Sequence, residues 1–145
     1  MATTYEVELT ARAEARLRRI HEDCQKCLDA GDDSNAKVKL FRMVEEMLTK
    51  IIPHDPFNPS RALSGRLSNF FRIKKGRIRV CYIGSSEHKK IMILYISETP
   101  RKEGDVNDPY ALFTKLVMSG KFDDAIANLG IKPPDRKSLP PPTIH

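Results

Sequence analysis

Three apolar segments follow one another almost without interruption, and they constrain the fold more than any other feature. Residues 69–73, 77–83 and 89–97 are rich in β-branched and aromatic side chains, with breaks only at Lys75-Gly76 and across 84–88. A parallel pair needs a crossover of about a dozen residues or more, which these breaks cannot supply. The three segments therefore form an antiparallel meander. Residues 4–9 also alternate, with Tyr5, Val7 and Leu9 on one side and Glu6 and Glu8 on the other, as a half-buried strand does.

Helical spacing fills the interval between them. Thr10 is placed to cap a helix whose Ala13, Leu17, Ile20, Cys24 and Leu28 share one face, with Arg12, Arg16 and Arg19 on the other. Gly31 stops it. Ser34 or Asn35 starts a second helix, lined by Leu40, Phe41, Val44, Leu48 and Ile51 and ended by Pro53. Residues 54–60, with Pro56 and Pro59, read as a loop. After a polar loop over 100–109, Asp108 and Pro109 begin a helix with Leu112, Phe113, Leu116 and Val117 as its apolar face. Gly120 ends it, and a short helix is expected over 122–129.

The order β, α, α, β, β, β, α predicts an α+β domain over residues 1–130. An N-terminal strand and a two-helix hairpin should pack on one face of a small, mostly antiparallel four-stranded sheet, with a C-terminal helix and the other face free. Residues 131–145 hold five of the ten prolines and are expected to form a mobile tail.

With 145 residues, 40% hydrophobic and 30% charged, the chain can bury a core and is not disordered as a whole. It has no apolar run near the roughly 18 residues of a membrane span. Without a basic-then-apolar leader, and with an odd number of cysteines, a cytoplasmic location and no disulfide framework are expected. The charge is uneven. Residues 61–104 hold eleven Lys or Arg against Glu87, Glu98 and Glu103, a local +8 in a chain whose total is +6. Such concentration points to a polyanionic partner, usually nucleic acid, although a solvated basic surface has the same composition.

The hairpin over 70–82 focuses that charge. Arg72 and Lys74 share one strand face, and Arg77 and Arg79 share one on the next strand. If Lys75 and Gly76 are the loop residues, Lys74 lies opposite Arg77 and Arg72 opposite Arg79. Like charges directly across a strand pair are destabilising, and a bound anion relieves them. Guanidiniums hold phosphate oxygens bidentately, and a buried lysine among them would more readily lose its proton.

The run R-I-K-K-G-R-I-R-V-C-Y, the strand I-M-I-L-Y-I-S and the segment P-R-K-E-G-D-V-N-D-P-Y before an apolar helix resemble the RelE/ParE superfamily of toxins, and within it the YhaV-type ribonuclease toxins. The resemblance implies a metal-independent endoribonuclease without cofactor, acting on free or ribosome-bound mRNA and neutralised by a cognate antitoxin. It implies catalytic roles for Arg72, Lys74, Arg79, Arg101 and Tyr110, and similarity extends to Arg77, Gly104 and Asp108. Arginine is too basic to be the general base, so Lys74 takes that role. Arg61, Arg66, Lys75, Arg77 and Lys102 are expected to bind RNA. ParE-like members of the same scaffold are gyrase inhibitors without the basic set, and a non-catalytic nucleic-acid-binding module is the other alternative.

Several motifs are set aside. His21, Cys24 and Cys27 are spaced by three residues, which spreads them over about 120° of a helix, so no metal site is expected. Cys81 lacks an adjacent base, and Tyr82 shares the Ile78 and Val80 face and is read as core. His54 and His88 lie in loops. The basic region contains no carboxylate pair or histidine cluster, which argues against a two-metal nuclease.

Overall fold

The computed structural model describes residues 5–63, 67, 69–98 and 109–131, with residues 109–111 as backbone alone. In chain order the elements are β1 (Glu6–Leu9), α1 (Ala11–Asp29), α2 (Ala36–Glu46), a π-helical turn (Met47–Ile51) and α3 (Ile52–His54). A 3-10 turn (Pro59–Arg61), β2 (Phe71–Lys75), β3 (Ile78–Ser85), β4 (Lys90–Glu98), α4 (Pro109–Met118) and α5 (Asp123–Asn128) follow. The strands form one sheet in the order β1-β4-β3-β2. β2, β3 and β4 are antiparallel, as their short connections require, and β1 lies parallel to β4. The fold is α+β with a mixed four-stranded sheet.

Local chemistry fixes the helix starts. The Thr10 hydroxyl accepts from the Ala13 N–H at 3.1 Å and donates to the Leu94 carbonyl at 3.1 Å, so one side chain caps α1 and ties it to β4. Asn35 caps α2 by accepting from the Lys37 N–H at 2.9 Å. Pro53 does not end the second helix where its sequence position suggests. It has no N–H to offer an α-turn, and ahead of it the coil widens to π over Met47–Ile51 before finishing at His54.

The helical hairpin covers one face of the sheet. Ala13, Ile20, Val44, Met47, Leu48 and Ile52 meet Ile73, Ile78, Val80, Tyr82, Ile91, Ile93 and Ile96 there. Leu28, expected in this stripe, is exposed, because it lies in the final turn of α1, beyond the sheet.

The opposite face is not free. Cys81, Ile83, Met92, Leu94 and Tyr95 pack against Phe113, Leu116, Val117, Phe122, Ile126 and Leu129 of the C-terminal helices and the turn between them. The physical reason is in β4, where residues 91–97 are all buried. A continuous apolar run belongs to a strand covered on both sides. A bulge sharpens this. Tyr82 pairs with Ile93 and Cys81 with Tyr95, so Leu94 is the extra residue, and Leu94 and Tyr95 both join the second core.

The loop after α3 is anchored by aromatic rings rather than by regular structure. Tyr5, Phe57, Phe71 and Tyr82 form a chain with successive centroids 5.6 Å apart. Phe57 sits so close to β3 that a Cβ at Gly84 would lie 2.9 Å from its ring, so a larger residue there must push the ring aside. The Tyr82 hydroxyl donates to the buried Pro56 carbonyl at 2.6 Å, and Tyr82 is core, as expected.

Candidate active site

β2 and β3 are joined by Gly76 and Arg77, with Lys75 paired to Ile78. Gly76 has φ +58°, the positive value that a two-residue hairpin turn matching strand twist needs at its first position. The register therefore differs from the expected one by two residues. Lys74 faces Arg79, and Arg72 faces Cys81. Because side chains alternate with period two, an even shift keeps Arg72, Lys74 and Arg79 on one face. Arg77 leaves the ladder for the turn.

Lys74 and Arg79 are thus directly opposed, at a Cβ separation of about 4.5–5.5 Å for such pairs. Neither forms an ion pair with a described residue. Lys74 is exposed, so the burial expected to ease loss of its proton is not found; Arg79 and Arg72 are half-buried. Arg79 is flanked on its other side by Ser97 of β4. The Arg79 Nη1 and the Ser97 Oγ are both buried without a hydrogen-bond partner among the described residues. Natural proteins rarely leave such groups unsatisfied, since each costs about 1–3 kcal/mol. This guanidinium is short of an acceptor at the point where the ladder concentrates positive charge.

Convergence of the two arginines is also felt at Cys81. Burial pushes its thiol from 9.0 up to about 12, against the opposing pull of the Arg72 and Arg79 charges. A thiol held protonated in this way is a packing group, not a nucleophile. On the neighbouring strand, burial likewise raises the Tyr95 hydroxyl, while Arg16 and Arg12 of α1 pull it back. These two arginines bring further positive charge beside the sheet face. Sequence periodicity assigned them only to the outer side of the helix. The signal was the shortness of β1, which lets α1 begin alongside β4.

Other expected residues lie elsewhere. Lys75 points to the helical face and meets Glu46 at 3.5 Å, with both side chains about half exposed. Arg61 donates from Nη1 to the Asp55 carbonyl at 2.7 Å. It also lies beside the Tyr82 hydroxyl, whose pKa burial raises and Arg61 lowers. Arg61 therefore braces the proline loop on the helical side. Arg66, Arg101, Lys102, Gly104 and Asp108 lie outside the described residues, as does the tail from 132. Tyr110 is described only as backbone near the start of α4. His21 packs on the Phe41 ring at 4.8 Å and Cys24 is buried, which gives both a place in the packing of the helical hairpin.

A mixed sheet backed by a helical hairpin, with a cationic ladder on its other face, defines a small α+β scaffold with a basic hairpin. The YhaV toxin family, described as toxins with endonuclease activity of toxin–antitoxin systems, matches residues 5–132, and the chain belongs to that family. Among solved structures, the RelBE2 toxin–antitoxin complex of Mycobacterium tuberculosis is similar at a TM-score of 0.50 and 18% identity. That match covers 68% of this chain and 94% of the other. The isolated Escherichia coli RelE toxin is similar at a TM-score of 0.44 and 16% identity, over 78% and 98% of the two chains. No curated protein matches. The chain is thus a YhaV-family toxin, of a family with endonuclease activity in toxin–antitoxin systems, and its fold is that of the RelBE2 toxin. Among the described residues, no helix is long and apolar enough to cross a membrane.

Proposed function

We propose that this toxin cleaves mRNA by attack of a ribose 2′-oxygen on the adjacent phosphorus, leaving a 2′,3′-cyclic phosphate and a 5′-hydroxyl. The observation that carries the reading is the Lys74–Arg79 pair: two cations directly opposed and unpaired among the described residues, with Arg72 on the same face. A scissile phosphate supplies the negative charge that this ladder lacks.

Lys74, in its neutral amine form, takes the 2′-hydroxyl proton as the oxygen attacks, and the bond to the 5′-oxygen breaks as that oxygen accepts a proton from an acid. Arg79 and Arg72 hold the extra negative charge that gathers on the phosphorane, and Arg79 Nη1 is a buried donor without an acceptor among the described residues. Arg101 and Tyr110, which the family resemblance brings to the site, complete the set, the first on the phosphate and the second on a base or a proton. No step requires a metal ion. The mRNA is met in the cytoplasm, free or on the ribosome.

Purified protein incubated with RNA, with and without ribosomes and with EDTA, tests this directly. Fragments ending in a 2′,3′-cyclic phosphate, formed in EDTA and lost with Lys74→Ala, are expected. Fragments with a 3′-hydroxyl, or cleavage abolished by EDTA, overturn the mechanism.

A further inference from the structure

A second cationic feature lies outside the sheet face. α1, α2 and the β2–β3 turn enclose an open cleft of about 720 Å³. Its rim carries Arg16, Arg19, Lys37, Lys39 and Arg77, against the two acids Asp23 and Glu98. None of the five cations forms an ion pair with a described residue. The floor is apolar, from Ile20, Leu40 and Met43.

The cleft reaches the turn that ends the cationic ladder. Arg77 belongs to the turn that closes the Lys74–Arg79 pair, and Glu98 pairs with Ile78 where β4 ends. Arg16 lines the cleft, and its charge is also felt at the Tyr95 hydroxyl. A polyanionic chain leaving the ladder at the hairpin tip meets Arg77 on its way into the cleft.

We propose that this cleft holds the sugar-phosphate backbone of the single-stranded RNA flanking the cut, with bases laid on its apolar floor. The proposal rests on the endoribonuclease reading and extends it from a scissile linkage to a track several nucleotides long. The five rim cations neutralise phosphates, and their contribution is salt-dependent because each contact releases counterions. An acidic protein segment is the rival occupant, and the test separates the two.

The probe is a fluorescent oligoribonucleotide methylated at every 2′-oxygen, so that it binds without being cut. The variant is Lys37→Gln with Lys39→Gln in the full chain. Both side chains are exposed near the start of α2, where loss of positive charge favours the helix dipole, so folding is preserved. Two lost contacts should lower the slope of log affinity against log salt by about 1.4, at about 0.7 per single-strand phosphate. The pair Lys50→Gln and Lys121→Gln, exposed and outside the cleft, removes the same charge and should keep the parent slope. A cleft variant with the parent slope overturns the proposal. So does one that binds RNA normally but escapes neutralisation by its antitoxin, which assigns the cleft to the protein partner. If the parent forms no cyclic phosphate yet the slopes differ as stated, the cleavage mechanism fails and the RNA track stands.

Discussion

The two faces of the β2–β3 hairpin are built from alternate residues of one stretch, yet they do opposite things. Ile73, Ile78, Val80 and Tyr82 are buried against the helical hairpin, whereas Arg72, Lys74 and Arg79 place like charges side by side on the other face. The first face holds the sheet together and the second strains it. The pleat of the strand thus separates stability from chemistry at single-residue resolution, and substitutions should sort by parity.

Cys81 tests the rule hardest, because it sits on the charged face beside two arginines but is governed by burial. With its thiol raised from 9.0 to about 12, the folded protein at neutral or mildly alkaline pH should hold roughly a thousandfold less Cys81 thiolate than the unfolded chain, a decade per unit. Labelling with a thiol reagent at pH 8 should modify half-buried Cys27 first and Cys81 only on unfolding. The sign of the linkage follows. The folded state keeps a proton that the unfolded chain releases, so this contribution to stability is full below pH 9 and drains away as pH climbs toward 12. Rapid labelling of native Cys81 would show that the arginines win.

Next in size is the apolar face. Ile78 is fully buried, and Ile78→Ala should cost about 2–5 kcal/mol in urea unfolding. Arg79→Ala should do the reverse. Cleavage should slow by about 10²–10³-fold, the loss typical of one charge-stabilising donor, while unfolding free energy stays level or rises as the repulsion from Lys74 is relieved. An Arg79→Ala variant that is destabilised and still cleaves at the parent rate would erase the distinction. The smallest effect belongs to Lys75, a charged residue on the helical side. Its half-exposed pair with Glu46 should be worth less than about 1 kcal/mol, so Lys75→Gln should barely shift the urea midpoint.

Much of this architecture was legible because short-range chemistry and the fold agree. Thr10 and Asn35 cap the helices where their side chains suggest, the meander follows from its short connections, and the parity of Arg72, Lys74 and Arg79 survives even a wrong register. What was not legible depends on long-range contacts. In the turn of Gly76 and Arg77 the glycine takes positive φ and Arg77 does not, as a turn with glycine at its first central position requires. The second core is hidden because an apolar run over 91–97 fits a meander strand covered once as well as one covered twice. Leu112, which helical spacing puts on the buried stripe of α4, is exposed. Arg12 and Arg16 could be seen as arginines but not as neighbours of Tyr95, because helix periodicity says nothing about which edge of a sheet the helix crosses.

The parallel pairing of the first strand with the last has a consequence for synthesis. The Thr10 hydroxyl must wait for the Leu94 carbonyl, 84 residues later, an interval of about 4–17 s at about 5–20 residues per second. Until then the charged hairpin is a local ribbon with no central strand beside it, and a nascent toxin acquires its rigid platform only once β4 has been made.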